Sequence, residues 1–389
     1  MSVTIRCGRL IDGTGREPIE GALIRVEDGT IAAIEPGRSA TREANGRAID
    51  LGRWTVLPGL IDAHDHLCFD WTDPKDQLAR EPDTWSILRG AGNCRRILRA
   101  GVTTLRVMGE KNHLDLQLRK AVRAGVVDGP DLLVSGRAIT VAGGVQSWFP
   151  DNEVDGAEEI REHVLRQAEA DVDLIKMFAT GSTATRAVDP LAPCFSRDEI
   201  RAAVDEARRL SLPLAAHCHG GPAARDLVEA GAYSIEHGAW LTRDVLKEMA
   251  RRGVYLVLTS GYAEAVARHA AATDFQRERC RRMTEAYRRT TALARELGVA
   301  IGIGTDENHG DLATEMRNLV DAGYSPTEAI QAATAWNARV CRVDAHTGSI
   351  EVGKRADVIG VDGDPLADVE AVGRVRFVMK NGREYRHDT

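Results

Sequence analysis

Nothing in the 389-residue chain reads as a disulfide framework, a membrane span or a nucleic-acid surface. Its seven cysteines (Cys7, Cys68, Cys94, Cys194, Cys218, Cys280 and Cys341) are odd in number and scattered, with no Cys-x-x-Cys pair, which suits a reducing compartment. No stretch approaches the roughly 20 apolar residues needed to cross a bilayer. The segment Met1–Arg6 lacks the charged-then-apolar run of a signal peptide, so the expectation is a cytoplasmic chain without a membrane partner. Acidic residues (58) outnumber Lys and Arg (51), for a net charge of −7. With no basic face to compensate, a nucleic-acid partner is excluded. The arginine-rich stretch from Arg277 to Arg289 is interleaved with Glu278, Glu285 and apolar residues and reads as a solvated helix face. A dinucleotide-binding glycine signature is also missing.

What is present is ordinary globular composition, 43% hydrophobic and 28% charged, ample for one large core with a smaller unit attached. The first 57 residues hold short alternating apolar runs and glycine turns, with a hairpin signal at Glu27-Asp28-Gly29-Thr30. The last forty or so look alike, with a second such turn at Lys380-Asn381-Gly382-Arg383. The expectation is that residues 1–57 and 346–389 pair into one composite β-sandwich subdomain flanking a catalytic domain over residues 58–345.

In that middle, apolar runs alternate with helical patterns. After the run at Pro58–Leu67 come Val102–Met108, Leu132–Gly136, Asp173–Phe178, Leu214–His219, Tyr233–His237, Val254–Leu258 and Ala300–Thr305, eight in all. Helices are expected at Asn112–Ala124, at Ile200–Leu210 behind a Ser196–Glu199 capping box, and at Thr242–Arg252. Eight β-then-α units favour a (β/α)8 TIM barrel over a doubly wound sheet. The long connection from about Ser260 to Leu297 is expected near the barrel mouth.

Barrel chemistry sits at the C-terminal strand ends, and those ends are consistent here. His64 and His66 alternate onto one face of the first strand and can close on one metal ion. Lys176 stands alone in an apolar run, where desolvation disfavours its charge. It either reaches a carboxylate or, as a neutral amine, takes up carbon dioxide to become a carbamate able to bridge two divalent ions. His217 and His237 close their strands as further ligands. His219 shares the face of His217 and is a ligand or a substrate contact. Asp306, after Gly302-Ile303-Gly304-Thr305, is the expected general base, with a helix N-cap as the alternative. Glu236 alternates away from His237 and reads as structural. His113, His163, His269, His346 and His387 read as surface residues, while His309 is within reach of the pocket.

These residues resemble the amidohydrolase superfamily, in the branch similar to imidazolonepropionase-like and prolidase-like enzymes. The matching stretches are Pro58–Leu67, Gly101–Arg106, Ile175-Lys176-Met177, Ala216–Gly220, Ser234–Gly238, Gly304-Thr305-Asp306, and the tail Thr347–Asp357 with Asp362–Leu366. The resemblance implies a binuclear site, often zinc: His64, His66 and Asp306 on one ion, His217 and His237 on the other. Carboxylated Lys176 and a hydroxide would bridge them, with Asp306 shuttling the proton to the departing nitrogen. It implies carbon dioxide or bicarbonate for the carbamate, a small-molecule amide substrate such as an N-acyl amino acid or dipeptide, and a homo-oligomer. Many relatives carry a histidine after the glycine pair where this chain has Ala142-Gly143-Gly144-Val145-Gln146, so Gln146 is a candidate replacement. Arg186 could bind a substrate carboxylate, and Tyr262 could donate to a developing oxyanion. The competing readings are hydrolysis of a cyclic amide, carbamate or lactone, and a catalytically silent scaffold or binding protein. Lys176 argues against deamination.

Overall fold

The computed structural model describes residues 2–36, 47–69, 78, 80–144, 152–181, 189–269 and 272–388. The chain opens with strands β1 (Ser2–Leu10), β2 (Ile19–Glu20), β3 (Leu23–Glu27), β4 (Thr30–Glu35) and β5 (Arg47–Pro58). The β3–β4 hairpin turns through Asp28 and Gly29, both at positive φ, the backbone a two-residue turn between twisted strands requires.

The middle of the chain alternates strand and helix: β6 (Leu60–Asp65), α1 (Asp83–Arg99), β7 (Val102–Val107), α2 (Leu114–Arg123), β8 (Asp131–Leu133), α3 (Gly156–Glu169) and β9 (Ile175–Phe178). It continues with α4 (Arg197–Arg209), β10 (Leu214–Gly220), α5 (Gly221–Ala230), β11 (Ser234–Trp240), α6 (Arg243–Arg252) and β12 (Tyr255–Leu258). Two helices, α7 (Ser260–Arg268) and α8 (Asp274–Glu296), fill the long connection before β13 (Ile301–Ile303) and α9 (Leu312–Asp321). The Ser196–Glu199 capping box does start α4, and the Thr242 hydroxyl caps α6.

Strands β6-β7-β8 and β9-β10-β11-β12-β13 form two parallel ladders. They join at both seams. Between β8 and β9, Asp173 N–H donates to Val134 O at 2.8 Å and Ile139 N–H to Lys176 O at 2.8 Å. Between β13 and β6, the Asn337 amide spans the gap, donating to Ile61 O (2.6 Å) and Ile303 O (2.8 Å) and accepting from Ile303 N–H (3.0 Å). The eight strands are those expected of a (β/α)8 barrel. Ile175, Met177, Ala216, Ile235 and Leu256 turn outward into one apolar core shared with the helices. Alternation therefore sends the polar residues of the same strands to the barrel axis.

The last strands, β14 (Val358–Val361), β15 (Val375–Lys380) and β16 (Arg383–His387), complete an eight-stranded sheet with the first five, in the order β16-β15-β14-β5-β1-β3-β4 with β2 on β1. The sheet rolls back on itself, since Ile31 N–H donates to Lys354 O and Ala356 N–H to Gly29 O, each at 2.8 Å. Its core, with Ile5, Ile24, Leu51, Trp54, Val358 and Phe377, draws on both ends of the chain. This sandwich-like unit matters to the site because β14 pairs with the end of β5, and Gly59 N–H donates to Asp357 O at 2.9 Å, which fixes where β6 begins.

Candidate active site

Strand β6 carries Asp62 and His64 on its inner face, and His66 follows directly at its end, all at most 4% exposed. The His64 Nδ1–H donates to Glu236 Oε2 at 2.8 Å, which turns Nε2 toward Asp306 Oδ1, 3.5 Å away. His64 Nε2 has no hydrogen-bond partner among the described residues. His66 is oriented the same way, its Nδ1–H donating to Gly109 O at 2.9 Å while Nε2 lies 3.8 Å from Asp306 Oδ1. An acceptor holding one ring nitrogen leaves the other lone pair free to ligate. His64, His66 and Asp306 offer ligand atoms all within 4.8 Å of one another.

Asp306 does not cap the following helix; Asp311 does, accepting from Thr314 N–H at 3.2 Å. Its approach depends on Gly304, where a Cβ would come within 2.5 to 2.7 Å of the Cβ and backbone of His64. Asp62 secures this contact, accepting from the Thr305 hydroxyl (2.6 Å), Thr305 N–H (3.1 Å) and His64 N–H (3.0 Å). Burial and the neighbouring Asp65 raise the Asp62 carboxyl to about 7. Burial would raise Asp306 too, but His64, His66 and Lys176 outweigh it and hold that carboxyl below the usual range.

The remaining imidazoles close the cluster. The His237 ring centroid lies 4.5 Å from that of His217, 4.8 Å from His64 and 5.1 Å from His219. His217 Nε2–H donates to Gly181 O at 3.1 Å. His237 Nδ1 shares a 2.7 Å hydrogen bond with Thr259 Oγ1 and sits 3.7 Å from Asp306 Oδ2. Burial keeps these rings neutral: His217 and His237 are driven well below the ordinary histidine value, His66 to about 3 and His219 to about 4. Of the rings in this cluster only His64 is raised: burial and the Lys176 charge push it down, and Asp306 and Glu236 override them.

Lys176 is fully buried, and its Nζ has no hydrogen-bond partner among the described residues. Burial lowers it to about 8 against the pull of Glu236 and Asp306. An amine so placed is substantially neutral near pH 8 and available to an electrophile.

One reading changes. Glu236 does not face away from the site: it points to the barrel axis and holds His64. The cause is His237, whose φ of 71° breaks the strand alternation so that both neighbours face inward. Glu236 is itself held by Arg106 Nη2, 2.9 Å from each carboxylate oxygen, and by Ser234. Burial pushes its carboxyl up, and the Arg106 charge and the His64 hydrogen bond bring it down to about 2.

Other expected residues fall differently. His309 is buried behind the site, with Nδ1–H donating to Asp65 Oδ2 at 2.8 Å and Nε2 3.1 Å from Phe69 O, so its ring braces the Asp306 loop. Tyr262 opens α7 at the mouth, where burial and the charges of Glu307 and Asp306 push its phenol well up. Gln146 and Arg186 lie outside the described residues. His163 is no surface residue: it is 1% exposed and bonded to Arg137 O at 3.0 Å. His113 and His269 are half-buried, and only His346 and His387 of that group are exposed. Sequence reasoning passed over Asp62, Arg106 and Thr259. Arg106 carried a usable signal, a lone cation in an apolar strand, the same signal that marked Lys176.

The class follows from where the donors lie: chemistry on an α/β barrel belongs to the C-terminal strand ends, and here those ends carry imidazole and carboxylate groups suited to divalent ions and hydrolysis. Comparison with known proteins makes the class particular. Residues 55–385 match the amidohydrolase family, and the chain belongs to it. It is 28% identical over 419 aligned residues to the ochratoxinase of Aspergillus niger, covering 98% of this chain and 86% of that one. A solved Xaa-Pro dipeptidase with methionine bound in its active site superposes with a TM-score of 0.90 at 27% identity, over 99% of this chain and 100% of the other. A prolidase complexed with N-methylphosphonate-L-proline gives 0.91 at 26% identity, with full coverage (100%) of both chains. The chain is thus a hydrolase of the family that acts on amide bonds. Among the described residues no helix is long and apolar enough to cross a membrane.

Proposed function

We propose that the chain is a binuclear metal hydrolase that cleaves the amide bond of a small N-acyl amino acid or dipeptide. The observation that carries this reading is Lys176: a fully buried amine without a hydrogen-bond partner among the described residues, in a barrel lined by imidazoles around Asp306. The donor set fits, since Lys176 Nζ and His64 Nε2, both without a hydrogen-bond partner among the described residues, are groups that burial would otherwise penalise. His64, His66 and Asp306 would hold one ion and His217 and His237 the other. Lys176 would link them as a carbamate, its Nζ bonding to the carbon of carbon dioxide and releasing a proton to solvent. Imidazole and carboxylate donors suit zinc.

When bound, such ions lower the pKa of water and polarise a carbonyl oxygen. The chain's own groups supply the proton path and the fit. Asp306, kept ionised, accepts the proton of the attacking water at a carboxylate oxygen and delivers it to the departing nitrogen. Glu236, Gly109 and Thr259 hold the rings of His64, His66 and His237 in place. Tyr262 would donate to the developing oxyanion. The peptide-like substrate is supported by the likeness to a Xaa-Pro dipeptidase and a prolidase.

The test is amine release from a panel of N-acyl amino acids and dipeptides, using protein supplied with zinc and bicarbonate. Turnover abolished by a chelator and by Asp306→Asn supports the reading. A protein that binds two ions yet cleaves no member of the panel contradicts the acyclic amide assignment.

A further inference from the structure

Helix α7 does not use the cap its own sequence offers. The first N–H groups of a helix have no partner within it, and a threonine at the N-cap ordinarily accepts from one of them. Thr259 occupies that position, yet its hydroxyl bonds to no N–H of the helix. It is committed to the site instead: Oγ1 shares the 2.7 Å hydrogen bond with His237 Nδ1 and lies 3.3 Å from Tyr287 Oη on α8. Glu315, on α9, does the capping. Its Oε2 accepts from Ser260 N–H at 3.0 Å and from the Ser260 hydroxyl at 2.8 Å, and its Oε1 accepts from Gly261 N–H. A carboxylate there also suits the positive end of the helix dipole. It comes this close because position 261 is glycine, where a Cβ would stand 2.9 Å from Glu315 Oε1. Asn318, one turn along α9, donates to Ser260 Oγ at 2.9 Å, so two residues of α9 hold the first turn of α7. Thr259 and Glu315 are each 1% exposed, which keeps bulk water from serving either group.

We infer that Glu315 is a positioning residue that frees Thr259 for the site: because the carboxylate caps α7, the threonine hydroxyl is left to hold the His237 ring with Nε2 available to a metal ion. The inference rests on the metal reading of the histidine cluster and adds to it a residue that touches neither metal nor substrate. Without the carboxylate, the Ser260 and Gly261 N–H groups become buried donors without an acceptor, and the Thr259 hydroxyl stands where an N-cap serves such groups. Drawn to them, it would leave His237 without the partner that orients its ring.

Two measurements test it, and neither needs turnover. In the first, hydrogen exchange of the metal-free protein is followed at the Ser260 and Gly261 amides. Glu315→Leu, which removes both acceptor oxygens, should speed exchange there about 10- to 100-fold, the range for a hydrogen bond to a charged group, while the amides of β10 keep the wild-type rate. Unchanged exchange at Ser260 and Gly261 overturns the proposal. In the second, zinc affinity is measured by competition with a chelator for wild type, Glu315→Leu, Thr259→Val and the double variant. Each single variant should bind about 10- to 100-fold more weakly, the range for losing a group that orients a ligand histidine. The double variant should bind no more weakly than Thr259→Val, since the carboxylate acts through the hydroxyl, and Glu315→Gln, which keeps one acceptor oxygen, should recover part of the loss. Losses that multiply in the double variant, or a Glu315→Leu protein with wild-type affinity, overturn the proposal. Should Glu315→Leu not fold, Glu315→Gln carries both comparisons, with effects of about threefold to tenfold. If exchange rises as expected but the wild type binds no zinc, the cap by Glu315 is supported and the metal reading falls.

Discussion

Arg106 on β7 and Lys176 on β9 are both buried cations in apolar strands, and the protein treats them in opposite ways. Arg106, 3% exposed, is fully engaged: Nε donates to Ala63 O at 2.6 Å, Nη2 to both oxygens of Glu236 at 2.9 Å, and Nη1 to Ser234 Oγ at 3.3 Å. Lys176, fully buried, has no hydrogen-bond partner among the described residues. A buried charge with a complete set of partners is part of the scaffold. A buried amine without one is a group held ready for something the protein alone does not supply. The two are linked, since Arg106 fixes Glu236, Glu236 fixes His64, and His64 faces Asp306 at the centre of the cluster that Lys176 completes.

Replacing each cation by methionine should break this symmetry. Lys176→Met is expected to lower kcat/KM by about 10³-fold or more, because several kcal/mol of metal-derived transition-state stabilisation goes with it. The metal-free variant should be at least as stable in urea as the metal-free wild type, since an unsatisfied amine has been replaced by an apolar chain of similar length. Arg106→Met should do the reverse to the fold, costing about 3–5 kcal/mol in the same titration, because it leaves the Glu236 carboxylate buried and unpaired. A Lys176→Met variant as destabilised as Arg106→Met would erase the distinction.

Glu236→Gln sharpens the comparison on a smaller scale. The side chain stays in place but loses the charge that orients His64, so metal affinity should fall about 10- to 100-fold, read by competition with a chelator. An unchanged affinity would show that His64 needs no anionic support.

The smallest effect is on pH. The folded Lys176 amine titrates at about 8, below its ordinary value of 10.5. Between those values the unfolded chain binds the extra proton and the folded one does not, so stability of the metal-free protein should rise with pH from about 8 to 10.5. Below about 8 both forms are protonated and the penalty is constant. The Lys176→Met protein should lack this rise, and bicarbonate-dependent activation of the wild type should speed up as pH passes 8, where the neutral amine takes over. Parallel pH–stability curves for the two proteins would place the amine in water.

Much of this was legible in the sequence because the barrel enforces period two and puts chemistry on strand ends. Those two rules locate all eight strands and select His64, His66, Lys176, His217, His237 and Asp306, which the structure brings into one cluster. The same rules misjudged Glu236, since a positive φ at His237 suspends alternation for one residue, and no local residue type announces it. The surface reading of His163 fails because burial of a helix histidine depends on what packs over it, here the Arg137 backbone.

The central claim is that Lys176 links two ions, and metal content per chain tests it most directly. After loading with zinc and bicarbonate and removal of unbound metal, the account predicts two ions per chain for the wild type and a loss of bound metal together with activity for Lys176→Ala. A Lys176→Ala protein that keeps two ions and full turnover would contradict it.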